Sequence, residues 1–60
     1  MKIRITISYG LKKDPKFAFK RVEALTWEDA RQIAFCFLTS LMVLHPNEDN
    51  WKIVETKEIP

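Results

Sequence analysis

Cys36 and His45 are the single thiol and the single imidazole of the chain. A thiol nucleophile needs a base within hydrogen-bond reach. The two lie on a stretch with helical periodicity, roughly 900° apart around its axis and about 13 Å apart along it, so they point to opposite sides. Ser40 is no better placed, about 140° from His45. One cysteine and one histidine do not make a metal site, which requires several converging ligands; Glu48 and Asp49 read as a solvated loop. Gly10 is the one glycine, so no glycine-rich phosphate loop exists. Paired carboxylates for acid–base work would need a cleft, for which a small domain has little room. These residues predict no catalytic residues, no metal, no cofactor and no small-molecule substrate.

The charges are more informative. Net charge is +2, unevenly distributed. Residues 1–21 hold Lys2, Arg4, Lys12, Lys13, Lys16, Lys20 and Arg21 against Asp14 alone, whereas residues 22–60 hold three cations against seven carboxylates. A basic front and an acidic back suggest a two-signed surface or a basic stripe that meets an acidic partner. Lys2, Arg4, Lys12, Lys13 and Lys16 are the candidate nucleic-acid contacts. Base-stacking sheets carry exposed aromatic rings, but Tyr9, Phe17 and Phe19 are expected in the core. That leaves Trp27 and Trp51 as candidates for stacking.

Sixty residues make one domain, 1–60, with a core that is marginal without outside help. From Lys2 to Tyr9 the apolar residues Ile3, Ile5, Ile7 and Tyr9 alternate with polar ones, the signature of a half-buried strand. Gly10 to Lys16 reads as a hairpin loop of about six residues. Phe17 and Phe19 differ in parity from Val22 and Ala24. A bulge near Lys20-Arg21 would place all four inside. Thr26 is positioned to cap a helix, with Asp29 reaching back as in a capping box. Apolar residues at 27, 30, 34, 37, 38, 41 and 44 form a helical stripe, and Pro46 stops the helix. Trp51 to Ile59 is a third strand. The prediction is an α+β fold, ββαβ: a three-stranded antiparallel sheet in the order 2-1-3 with one helix packed along the full length of one face.

The helix holds more apolar residues than one small sheet can cover. Ile33, Phe35, Cys36, Met42 and Val43 lie beyond the stripe, and the late part of the helix lacks the polar back expected of a surface helix. The sheet could curl around this excess; a contact with a second protein or with another copy of the chain is the reading preferred here. The five residues are the candidate protein interface. The apolar run Ile33–Leu44 is too short for a membrane span, which needs about 20 residues. A lone helical cysteine and an alternating N-terminal segment fit a reducing cytoplasm.

The order hairpin, Val22-Glu23-Ala24-Leu25-Thr26, Trp27-Glu28-Asp29-Ala30, helix, then Trp51-Lys52-Ile53-Val54 resembles the layout of very small phage and mobile-element proteins, including phage inhibitors of bacterial RNA polymerase. The resemblance covers most of the chain and transfers no functional residue. It implies a host-directed binding protein without catalysis, acting in the host cytoplasm. The function expected is therefore a small non-catalytic protein-binding module, with a nucleic-acid-binding module as the alternative.

Overall fold

A computed structural model describes residues 1–60 as β1 (Lys2–Leu11), β2 (Asp14–Glu23), α1 (Trp27–Leu44) and β3 (Lys52–Ile59). The strands form one open antiparallel sheet in the order β2-β1-β3, as the alternation and the crossover predict. Ile3, Ile5 and Ile7 of the central strand are completely buried. With Ala24 and with Ala30 and Ala34 of the helix they make the core. The two alanines are one helical turn apart, so they share a face. Their small side chains let the helix backbone lie close to the isoleucines.

Thr26 is the N-cap: its Oγ1 accepts from the Asp29 amide at 3.1 Å, in extended backbone geometry. The reciprocal bond from the Asp29 side chain that a capping box would add is not formed. Glu28 and Asp29 occupy the first turn, where the helix dipole favours negative charge. His45 is the C-cap, its amide donating to the Leu41 carbonyl at 2.9 Å.

The hairpin corrects three expectations. Its loop is only Lys12 and Lys13, because Leu11 already pairs with Asp14. The β1–β2 register then runs without interruption to Lys2 opposite Glu23, so no bulge exists at Lys20-Arg21. Directly opposed residues share a sheet face. Val22, Lys20, Ala18 and Lys16 lie opposite Ile3, Ile5, Ile7 and Tyr9 on the helix side. Phe19 and Phe17 lie opposite Thr6 and Ser8 on the side away from the helix. Both phenylalanines are exposed, at 63% and 52%, instead of buried. The bulge is in β3, between the partners of Thr6 and Ile7: Glu55 opposes Thr6, Ile53 opposes Ile7, and Val54 is the extra residue. It keeps Ile53 under the helix.

The helix packs more closely on β3 and β1 than on β2. Beside β2 it leaves a groove of about 480 Å³ lined by residues including Lys20, Ala24, Leu25, Ile33 and Phe37. The ends of the expected stripe are also open, since Trp27 and Leu44 are both exposed. Only seven of 60 residues are buried. A folded monomer of 7.1 kDa shows about 4,100 Å² to solvent; this chain shows 4641 Å². Ten large apolar side chains, from Leu11 to Val54, contribute to the exposed surface.

Gly10 has φ of +92° inside β1, and its amide donates to the Asp49 carbonyl at 2.7 Å. The Asn50 side chain returns to the Gly10 carbonyl, also at 2.7 Å. An added Cβ would meet the Glu48 carboxylate at 3.3 Å. Gly10→Ala should cost about 1–2 kcal/mol, because a side chain disfavours positive φ. A lowered urea midpoint with an unchanged slope would verify this.

Candidate functional site

Two surfaces stand out, one on each side of the molecule. The first is the outward side of the helix. Phe35 and Met42 are two turns apart and share that side with Val43, with exposures of 61%, 42% and 79%. Thr39 lies between them. Its hydroxyl donates to the Phe35 and Cys36 carbonyls, each at 3.0 Å, so its oxygen is turned onto the backbone. Cys36 is exposed at the border of this surface, on the rim of the groove beside β2. Ile33 differs from the other four expected interface residues: it is half-buried and packs against the core.

The second surface is the sheet face away from the helix. Phe17, Phe19, Val54, Arg4 and Glu55 surround Thr6 in a shallow depression of about 300 Å³. Thr6 is buried and forms the floor. Arg4 donates from a terminal guanidinium nitrogen to Glu55 Oε1 at 3.0 Å, while its buried Nε has no acceptor.

The sequence-predicted basic residues separate. Lys2 and Arg4 are on this open face, and Lys12 and Lys13 form the exposed hairpin turn. Lys16 lies on the helix side, where Nζ donates to Glu48 Oε1 at 2.9 Å. That hydrogen bond and the charge of Glu48 raise the Lys16 pKa above the ordinary lysine value. Being exposed, the pair adds little to stability.

Trp51 is likewise engaged. Its indole stacks on Tyr9 with ring centres 4.6 Å apart and interplanar angle 14°, and its Nε1 donates to the Glu48 carbonyl at 3.1 Å. His45 stacks on the other ring partner, 5.8 Å from Tyr9. These contacts hold the 45–50 loop against the end of β1. They place His45 with aromatic rings, while Cys36 lines the groove beside β2, so the thiol and imidazole do not form a pair.

Phe17, Phe19, Arg21 and Val54 are members of the open face that sequence reasoning missed. The available signal was parity. With a turn of only Lys12 and Lys13, Val22 falls inside beside Ile3 and the phenylalanines must fall outside.

The geometry defines a two-layer α+β domain with an open sheet. No protein-family model, curated protein or solved structure matches the chain. No helix is long and apolar enough to cross a membrane.

Proposed function

We propose that this chain is a non-catalytic protein-binding module that docks through the outward side of its helix. The observation that carries the reading is the side of the helix turned to water. Phe35, Met42 and Val43 are exposed there, and the intervening Thr39 hydroxyl is folded onto the backbone. A surface helix ordinarily presents a polar back. Glu28, Arg31 and Gln32 border Phe35, giving the exposed apolar side chains a polar rim, and large side chains at the centre of such a surface carry most of the binding energy. Cys36 flanks the patch, and Ile33 supports the groove beside it from below. The partner is a larger protein or a second copy of the chain. The resemblance of its element order to small phage regulators is the support for a host-directed role such as inhibition.

The double variant Phe35→Glu/Met42→Glu tests this. Its thermal midpoint should match that of the wild type, since both positions are exposed and surface changes stay within about 0.5 kcal/mol. Self-association in sedimentation velocity, or recovery of a defined protein from nuclease-treated host lysate, should fall by about 30-fold or more. Equal binding by variant and wild type would reject the helix as the docking face.

A further inference from the structure

We infer that the sheet face opposite the helix is a second binding site, for single-stranded nucleic acid. This goes beyond the protein-docking role of the helix and rests on different residues.

The first observation is electrostatic. Arg4 in the central strand is directly opposite Arg21 on one side and Lys57 on the other. Three cations therefore form one row across the whole sheet. Like charges in directly opposed positions lower the stability of a sheet. Glu55, bonded to Arg4, is their one ion-pair partner, and Arg4 Nε lacks any acceptor. Lys2 and Lys52 extend the basic surface along β1 and β3, and Glu23 is the remaining carboxylate on that face by register. A row of crowded cations is a disadvantage to the free domain, and a polyanion laid across it removes the repulsion. The negative charge of the molecule is concentrated elsewhere, at Glu28, Asp29, Glu48 and Asp49, so a polyanion would be oriented toward the sheet.

The second observation is the pair of rings beside that row. Phe19 is on the same side as Arg21 and two residues away, and Phe17 is two further along. Alternate residues of a strand are about 6.7 Å apart. That is about twice the 3.4 Å spacing of stacked bases. Two bases cannot stay stacked on one another while each covers one ring, so the spacing suits an unstacked strand. A duplex hides the faces of its bases and gives the rings nothing to cover. Base–aromatic stacking is tolerant of sequence, and the cations of the face are placed to meet the phosphate backbone. The ligand is therefore a single strand bound with little sequence preference: its backbone follows the cation row and its bases lie on Phe17 and Phe19.

The test is fluorescence anisotropy with labelled oligo(dT) and oligo(U) of about 20 nucleotides and with the matching duplex. The wild type should bind both single strands more tightly than the duplex. With three phosphate contacts, affinity should fall about 20-fold between 50 and 200 mM salt. Phe17→Ala and Phe19→Ala should each weaken binding about fivefold or more, with no loss of fold by circular dichroism. Arg21→Glu should weaken both single strands together. Amide shifts at Thr6, Phe17, Phe19 and Val54 on adding oligo(dT) would locate the strand. Phe35→Glu/Met42→Glu should bind oligonucleotide as the wild type does, which separates this site from the helix. The inference is overturned by absence of binding at about 100 µM protein in low salt. It is equally overturned if the duplex binds as tightly as the single strands, if heparin-competed binding is unchanged in both Phe17→Ala and Phe19→Ala, or if the phenylalanines prove necessary only for holding a protein that survives nuclease.

Discussion

Ile5→Ala should remove a large part of the protein's stability and lower its urea midpoint more than any other single truncation. Ile5 is fully buried in the central strand, flanked by Ile3 and Ile7, which are also fully buried. Truncating such a side chain costs about 2–5 kcal/mol, depending on how far the site collapses. A domain of 60 residues has about 3–9 kcal/mol of stability in total, so the loss is comparable with the whole. Collapse offers little relief, because the neighbouring strands hydrogen-bond to β1 on both sides and hold it in place. The informative comparison is Phe19→Ala. It removes more atoms, but from a side chain that is 63% exposed, and should change stability by no more than about 0.5 kcal/mol. Urea titrations of both variants give the result. Similar midpoints would mean that the two faces of the sheet have been interchanged.

Ala34→Leu should be the next most damaging single change, although it adds apolar volume. Ala34 is 2% exposed and Ala30 is fully buried. The helix sits close over the isoleucines because both contact positions are alanine. Three additional carbons must push the helix away or force strained rotamers, at about 1–3 kcal/mol. For a domain of this size that is a fall in Tm of about 4–8 °C per kcal/mol. Leucine is nearly as good a helix former as alanine, so the effect isolates packing from propensity. A rise in Tm would show that the space above Ile5 is a void.

The central strand was legible from the sequence because burial on one side writes itself as strict alternation. Ile3, Ile5 and Ile7 occupy the core as their parity requires. The strand order β2-β1-β3 followed from the same elements, since a helix crossover returns the third strand to the free side of the first. The helix bounds followed from Thr26 and Pro46, two local signals with a backbone mechanism.

The second strand was misread because hydrophobicity and parity disagree there. Phe17 and Phe19 look like core residues, and a bulge was the device that could bring them inside together with Val22. The turn decided otherwise. Two residues, Lys12 and Lys13, fix the register, and a slip of one residue reverses every side chain. Lys12-Lys13 lacks the Asn-Gly or Asp-Gly pattern that announces a tight hairpin. Meanwhile Gly10 and Asp14-Pro15, which do look like turn residues, are spent within the strands. The exposed side of the helix was legible as an excess of apolar residues, and Phe35, Cys36, Met42 and Val43 are exposed as that excess implied. Ile33 was not separable from them, because its inward tilt depends on where the helix sits relative to β2.

The register of β2 has a further consequence for handling the protein. This strand is an edge, its free flank is unpaired, and Phe17-Ala18-Phe19 makes a short β-prone segment upon it, the kind of template from which fibrils grow. Lys16 precedes that segment and Lys20-Arg21 follow it, charges that act as gatekeepers by keeping neighbouring chains apart. Concentrated stocks should remain clear at low ionic strength and turn cloudy as salt screens those cations.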